Sequence, residues 1–354
     1  MKIQVKQIIN ASVLFLIFYS LLISGSVYGL TENKVVSTGT TTTKKTAIKA
    51  AKTNKIKSAK LSAKNDNNLK NIQKILYKNP KAAIKKLKSL INKKNKNSKN
   101  SKIYYYLGES YSRLNNTVKA ETYYKKALMQ NPKNINAYNS LGLLYNKKHN
   151  YKKAYAEFLK LIKIDPKNSV YYNNLGFIEE ERNRNHKAIE FFNEAVSFNP
   201  FYTMAYLNLG SIYRKLGENR RAAKEYNKSG LTYFRGNNFM QAVNSFKLSI
   251  KLYRNYIYPY KNIANTYVKL GNIDNAVNYY TLSGNIYNNM QKYNSAIKEF
   301  QSALRYNQSY LPAIHGIMLS YQKLGNMQMM SRYMQEEIKI GGVGAILGGG
   351  LPLP

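Results

Sequence analysis

The sequence predicts an all-α protein, a right-handed α-solenoid of stacked helical hairpins, and two spacings carry that prediction. Glycine recurs every 34 residues through the first half of the array, and alanine and proline keep the same step. In the C-terminal half a second pattern recurs every 54 residues. Fixed periods of this kind are typical of arrays in which each unit buries its apolar face against its neighbours.

Small residues define the 34-residue pattern. A glycine and an alanine twelve residues later let two antiparallel helices approach closely. Glycine inside a helix costs about 1 kcal/mol relative to alanine, so its recurrence indicates a packing requirement. A proline then ends each second helix, because the residue before it is pushed out of helical geometry. The positions are Gly108, Gly142, Gly176 and Gly210, then Ala120, Ala154, Ala188 and Ala222, then Pro132, Pro166 and Pro200.

With these positions, residues 101–202 resemble three consecutive tetratricopeptide repeats. Aromatic residues that would plug the second helix into the core support the resemblance, namely Tyr124, Phe158 and Phe192. Two departures are visible. Tyrosine replaces the tryptophan that the family usually has at the fourth position, and Glu179 stands where neighbouring repeats have tyrosine.

The 54-residue pattern predicts two units of three helices each over residues 203–310. In each unit two repeat patterns overlap by one helix, so the middle helix must bury two faces. The helices are expected near 203–216, 219–234, 238–252, 257–270, 273–288 and 292–306. An odd number of helices per unit reverses the chain direction, so the array should change character near residue 203. The small residues of these units are Gly230, Ala242, Ala276, Gly284 and Ala296.

The remaining segments are assigned from composition and apolar periodicity. Residues 1–29 have two lysines, an apolar run and small residues, which indicates a signal peptide or, alternatively, an uncleaved membrane anchor. Residues 30–66 are predicted to be a disordered basic linker. Residues 67–100 are predicted to form an imperfect helical hairpin and a Lys/Asn linker. Residues 311–340 are expected to be a capping hairpin and residues 341–354 a flexible Gly-rich apolar tail.

Composition excludes several kinds of site. The chain has no cysteine, which rules out disulfides, zinc–thiolate sites and cysteine catalysis. Its three histidines, His149, His186 and His315, are too far apart to pair on one helix turn, so neither a metal nor another cofactor is expected. No residue constellation supports catalysis, and the Glu179–Glu181 run is interpreted as a solvated helix end.

The resemblance implies where a ligand would bind. In tetratricopeptide repeats the first helices line the inner surface, and their fifth, sixth and ninth positions face a bound peptide. An asparagine at the sixth position holds the peptide backbone in some arrays of this family, because an amide both donates and accepts. Asn174, Asn208 and Asn262 match that position. The other predicted groove residues are Asn139, Asn173, Tyr105 and Phe177.

Two functions from different classes fit these features. The first is an exported, non-catalytic scaffold of the periplasm or cell envelope that binds a protein or an extended peptide in its groove. In that reading the basic segment 30–100 would hold it near an anionic envelope surface. The alternative is a polyanion binder that takes nucleic acid, an anionic envelope polymer or a lipid surface, and the formal net charge of +39 favours it. Export and the lack of a nucleic-acid-binding motif argue against nucleic acid as the partner.

Overall fold

The computed structural model of the protein describes residues 69, 71–91 and 98–341. Within these residues the chain forms sixteen helices and no strand, which confirms the all-α solenoid. The predictions for residues 1–29, 30–66 and 342–354 lie outside the described part. The helices are α1 (71–78), α2 (Pro80–Ser89), α3 (Ser98–Arg113), α4 (Thr117–Gln130), α5 (Ile135–Lys147), α6 (Tyr151–Ile164), α7 (Ser169–Glu181), α8 (Asn185–Phe198), α9 (Thr203–Lys215), α10 (Asn219–Arg235), α11 (Phe239–Leu252), α12 (Tyr258–Lys269), α13 (Ile273–Asn289), α14 (Tyr293–Leu304), α15 (Leu311–Lys323) and α16 (Met327–Gly341).

Asparagine begins many of these helices. The side-chain oxygens of Asn116 and Asn150 accept hydrogen bonds from the backbone N–H groups of Lys119 and Lys153. Such a cap satisfies an N–H that has no partner inside the helix and contributes about 1 kcal/mol. Part of the abundance of asparagine is therefore structural. The same cap occurs at Asn79, Asn134, Asn168 and Asn272.

One type of turn recurs at eight helix ends. Its central residue has a positive φ, and the next N–H donates to the carbonyl five residues back, which closes the helix end. The central residues are Asn115, His149, Asn183, Gly217, Asn237, Gly271, Gln291 and Gly325. Their spacing is 34 residues up to Gly217 and then alternates between 20 and 34. We call the helix before each of these turns a leading helix: α3, α5, α7, α9, α10, α12, α13 and α15.

The recurring glycines let an aromatic ring from the following helix lie against the backbone of the leading helix. A Cβ atom added at Gly142 would stand 2.8 Å from Phe158, and one added at Gly176 would stand 2.6 Å from Phe192. Both rings are at most 1% exposed and have no free space to move into. The same contact joins Gly108 with Tyr124, Gly210 with Tyr226, Gly230 with Phe246 and Gly284 with Phe300.

Helices α10 and α13 take part in two repeats each. Tyr226 of α10 packs on Gly210 of α9, while Gly230 of the same helix receives Phe246 of α11. A shared helix must bury two faces, and on α10 both Tyr226 and Gly230 are buried. The two three-helix units of the C-terminal half are therefore α9–α11 and α12–α14, as the 54-residue pattern predicts.

Sharing a helix changes the direction of the leading helices. Helices α9 and α10 are joined by a short turn and run antiparallel, yet both are leading helices. The turn before α10 therefore lies beside the α11–α12 turn, and the turn after α10 lies beside the α8–α9 turn, as two ring contacts show. Arg220, after the α9–α10 turn, lies 5.4 Å from the ring centroid of Tyr253 in the α11–α12 turn. Arg235, at the end of α10, lies 4.9 Å from the ring centroid of Phe201 in the α8–α9 turn.

The interpretation of the Glu179–Glu181 run as a solvated helix end is wrong for its first member. The Glu179 side chain is only 1% exposed, and Arg182 Nη1 donates to its Oε1 at 2.7 Å. Arg184 lies 3.5 Å from the other carboxylate oxygen. Glu179 fills the space of the tyrosine that other repeats have at this position, and two arginines of the following turn compensate its charge.

Candidate functional site

The leading helices form one face of the array. Among the described helices, substantial contact between helices two apart in the chain joins α3 with α5, α7 with α9, α10 with α12 and α13 with α15. Every member of these pairs is a leading helix. Contact across repeats draws this layer together, so it forms the crowded inner side on which the sequence places the groove.

Amide side chains link neighbouring leading helices along this face. Asn208 Nδ2 of α9 donates to Asn173 Oδ1 of α7 at 2.8 Å. Asn262 Nδ2 of α12 donates to Asn227 Oδ1 of α10 at 2.9 Å. Each donor stands at the sixth repeat position and each acceptor at the fifth, 35 residues earlier. We call such a pair a rung.

The rung between α5 and α7 is open. Asn139 occupies the fifth position of α5 and Asn174 the sixth position of α7, again 35 residues apart. No hydrogen bond joins them among the described contacts, and the buried Oδ1 of Asn139 has no hydrogen-bond partner. The oxygen of this amide retains its capacity to accept a hydrogen bond. The α5–α7 pair therefore has an unpaired, buried amide oxygen where the next pair is joined by a hydrogen bond.

Apolar side chains flank the open rung. Leu143, one helical turn after Asn139, is 47% exposed, and Phe177, three residues after Asn174, is 38% exposed. Val170 and Met204, at the second positions of α7 and α9, are also exposed. Side chains seven residues apart on a helix lie on one face, so Val170 and Phe177 belong to the same surface. The open rung thus lies in an apolar part of the inner face.

A polar cluster joins α3, α4 and α5. Glu109 Oε1 accepts hydrogen bonds from Tyr124 Oη at 2.5 Å and from Ser140 Oγ at 2.9 Å. Burial, followed by the nearby Glu109 carboxylate, raises the pKa of Tyr105 to about 12. The same two causes raise the pKa of Tyr124. Both phenols therefore stay neutral at ordinary pH, and Tyr105 lines the face as an aromatic wall.

The seven predicted groove residues all lie on leading helices, in different states. Asn139 lies on α5 and Asn174 and Phe177 lie on α7, on the two sides of the open rung, while Asn173 and Asn208 form a closed rung beside it. Tyr105 lies one repeat away. Asn262 lies in the second half of the array, paired with Asn227.

Sequence reasoning missed two of the residues that shape this face. Asn227 escaped because it lies on the shared helix α10, although it stands three residues before Gly230 as Asn173 stands before Gly176. Leu143 stands at the same ninth position as Phe177. Counting positions from every glycine, including those on shared helices, would have found both.

Comparison with known families decides the repeat type. One tetratricopeptide-repeat model matches residues 101–134, a second matches 157–190, and a third matches 135–168, 205–229, 259–283 and 278–310. The chain contains tetratricopeptide repeats. The matches 259–283 and 278–310 of this tetratricopeptide-repeat array overlap within α13, the helix that two repeats share.

Solved structures that match parts of this chain include the following three. The MamA protein is 23% identical, over 55% of this chain and 95% of that one, with a TM-score of 0.33. YrrB, described as a TPR protein with an unusual peptide-binding site, is 18% identical over 60% and 89%, with a TM-score of 0.31. PilW, described as a type IV pilus biogenesis factor, is 21% identical over 70% and 98%, with a TM-score of 0.32. A sequence search of curated proteins finds no match.

Two kinds of feature are absent from the described residues. None of the helices there is long and apolar enough to cross a membrane. In the same part of the chain, no three histidine, aspartate or glutamate side chains are placed to hold a metal ion.

Proposed function

We propose that this tetratricopeptide-repeat array is a non-catalytic scaffold of the cell envelope that binds an extended segment of a protein partner across α5, α7 and α9. The observation that carries the proposal is the open rung. The buried Oδ1 of Asn139 has no partner and no hydrogen bond joins Asn139 to Asn174, whereas Asn208, one repeat on, donates to Asn173. Leaving a buried amide oxygen without a partner costs about 1–3 kcal/mol, and an incoming peptide group would remove that cost.

The dimensions suit an extended peptide. Neighbouring repeats are separated by about 10 Å, the usual distance between packed helices. An extended peptide advances about 3.3 Å per residue, so about three residues span one repeat. Its backbone would bond to Asn139 and Asn174, while alternate side chains contact Leu143 and Phe177. The chemistry selects apolar side chains at spaced positions and tolerates variation between them.

The location in the envelope rests on the N-terminal segment. Lys2 and Lys6 precede the apolar run from Ile8 to Ile23, and both a cleaved signal and an anchor would deliver the chain to a membrane. The basic segment 30–100 then keeps the array near an anionic surface. Sequencing the N-terminus of the mature chain distinguishes the two fates of the signal segment.

The groove is tested with peptides selected for binding. The full-length chain is used to select binders from a display library of random twelve-residue peptides, and their affinities are measured by fluorescence anisotropy. Asn139→Ala combined with Asn174→Ala should weaken the selected peptides at least tenfold. The matched control combines Asn193→Ala with Asn244→Ala, two exposed asparagines on the following helices α8 and α11.

Two results would overturn the proposal. A library that yields no binder argues against peptide recognition altogether. Selected peptides that bind the open-rung variant as tightly as the wild type would place the site elsewhere. Changing Asn174, Asn208 and Asn262 together to alanine should weaken binding further, because the closed rungs would contribute once a peptide spans several repeats.

A further inference from the structure

Between α3 and α10 the turns of the array lie along two edges that differ strongly in charge. Consecutive helices joined by short turns run antiparallel, so successive turns alternate between the edges. The turns after α3, α5, α7 and α9 form what we call the first edge. The turns after α4, α6 and α8 form the second edge. Contacts between neighbouring first-edge turns agree with this: Lys147 Nζ lies 3.5 Å from Asn115 Oδ1, and Tyr151 Oη donates to Glu181 at 2.8 Å.

The first edge is basic. Each turn segment is taken to run from the last two residues of one helix to the first three of the next. The four first-edge segments hold thirteen basic and three acidic residues, and the three second-edge segments hold three basic and one acidic residue. The first-edge bases are Arg113, Lys119, Lys147, Lys148, Lys152, Lys153, Arg182, Arg184, Lys187, Arg214, Lys215, Arg220 and Arg221. Compositional drift alone would not concentrate lysine and arginine at one edge.

Most of this charge is not compensated by ion pairs. Lys148 pairs with Glu121, Arg182 and Arg184 pair with Glu179, and Arg221 pairs with Glu218. The other nine bases of the first edge have no salt bridge among the described residues. Unpaired charges of one sign along a line create a field that attracts an anionic partner.

A recess lies within the first edge. It occupies about 370 Å³ between the α7–α8 turn and the α9–α10 turn, and Arg184, Lys187 and Leu216 are among its lining residues. Lys187, together with Arg184, which also pairs with Glu179, lies beside the exposed Leu216 and suits a group that carries phosphate next to a hydrocarbon chain.

Apolar side chains project beside the bases. Val118, at the second position of α4, is 71% exposed, and Leu114 and Leu216 are each 37% exposed. Exposed apolar tips among lysines are typical of surfaces that rest on the interface of a bilayer. They would contribute nothing to neutralising a nucleic-acid backbone, which calls for polar and stacking contacts.

We propose that the first edge docks on a bilayer of anionic phospholipids. The lysines and arginines contact the phosphate headgroups, and Val118, Leu114 and Leu216 reach the level of the glycerol backbone. This inference rests on the proposed function in one respect: the apolar N-terminal run is there expected to bring the chain to a membrane, which favours lipid as the source of the phosphate. Docking by the edge leaves the inner face of the leading helices accessible to a partner.

The experiment reads the position of each edge relative to a membrane in the full-length chain. Because the chain contains no cysteine, Val118→Cys and Met129→Cys each place a single environment-sensitive dye, one on each edge. Met129 is the matched control because it is 79% exposed at the end of α4. Vesicles of 30% phosphatidylglycerol in phosphatidylcholine should blue-shift the dye at position 118 and leave the dye at position 129 unchanged. The shift should disappear in vesicles of phosphatidylcholine alone and in 0.5 M salt.

Charge reversal supplies the second arm. Lys147, Lys148, Lys152 and Lys153, each changed to glutamate in the position-118 dye variant, should weaken the vesicle response at least tenfold, since each lysine near an anionic surface contributes about 1 kcal/mol. The control reverses Lys133, Lys163 and Lys167 of the second edge together with Lys126, which lies one helical turn before the end of α4. It changes the net charge equally and should alter the response less than about threefold, which allows for the long-range effect of net charge. Circular dichroism confirms that both variants remain helical.

Several outcomes would overturn the proposal. An equal shift of both dyes, or a shift only at position 129, would mean that the first edge does not face the bilayer. A chain that sediments with vesicles while the position-118 dye is silent is held by its N-terminal segment alone. A thirty-base-pair DNA duplex that shifts the dye as strongly as vesicles of equal phosphate content would replace lipid with nucleic acid as the partner.

Discussion

Asn208 donates its side-chain amide to Asn173, and the same bond recurs 54 residues later from Asn262 to Asn227. The first pair joins α7 with α9, two ordinary leading helices. The second joins α10 with α12, where α10 also serves as the second helix of the repeat before it. The recurrence shows that a shared helix presents the same polar group to its neighbour as an unshared one, so the inner face continues across the change of step.

Asn173→Ala should lower the free energy of unfolding by about 1 kcal/mol, because it removes a hydrogen bond from a side chain that is 7% exposed. Asn139→Ala removes an amide without such a bond and should lower stability less. Urea denaturation of both variants, followed by circular dichroism, measures the difference. Equal losses would mean that the closed rung adds nothing to stability. Peptide binding should show the opposite order.

Gly142→Ala should destabilise the array by about 1–3 kcal/mol through overpacking, because the added Cβ would lie 2.8 Å from the ring of the buried Phe158. Gly236→Ala is the control. Its φ is −82°, and its Cβ would approach no atom closer than 3.3 Å. Thermal melting of the two variants should separate them clearly. A melting temperature for Gly142→Ala at or above that of the control would contradict the packing role of the glycine.

Gln291→Gly should stabilise the protein by about 1 kcal/mol. Gln291 has a φ of 58° in the turn after α13, a conformation in which residues other than glycine and asparagine are strained. Gly271 holds the equivalent place in the turn after α12 with a φ of 73°, and a Cβ there would contact nothing. Gly271→Gln should therefore lower stability by a similar amount through the backbone alone. Chemical denaturation checks both, and changes of the same sign would refute the explanation.

Glu121 should make stability depend on pH below the ordinary carboxyl range. Burial alone would raise the pKa of this carboxyl, but hydrogen bonds from Lys125, Tyr145 and Lys148 lower it to about 2. A carboxyl whose pKa is lowered on folding stabilises the fold above its unfolded value of 4.5, and this contribution is lost as the pH falls towards 2.

Wild type should thus lose more stability than Glu121→Gln between pH 5 and about pH 2.5. The control is Glu190→Gln, an exposed glutamate on α8 without a salt bridge among the described residues. Unfolding midpoints measured across that range give the comparison. If the unfolding midpoints of wild type and Glu121→Gln fall equally with pH, the three donors do not stabilise the ionised carboxylate of Glu121.

Local periodicity was enough to predict most of the helices. Gly210, Tyr226, Gly230 and Phe246 are spaced so that only a shared helix between 219 and 234 accommodates them, and α10 spans Asn219–Arg235. The exact first and last residues of the helices do not follow from periodicity, because a helix end depends on whether an asparagine side-chain oxygen accepts a hydrogen bond from the backbone. Glu179 shows a different limit. Its neighbours in sequence suggested a solvated run, but burial is decided by the adjacent helices and by Arg182, which folds back onto it.

The sequence by itself determined the repeat architecture, the shared helices and the set of residues on the leading helices, because these follow from spacing along one chain. The tertiary structure decided which amides are free. The sequence shows only that four groove positions hold asparagine: Asn139, Asn173, Asn174 and Asn208. In the structure Asn208 donates to Asn173, whereas the side-chain oxygen of Asn139 is unpaired. The tertiary structure also places the basic residues of four separate turns along one edge. Hydrogen bonding and electrostatic fields depend on distances between different repeats, and the spacing along one repeat does not contain those distances.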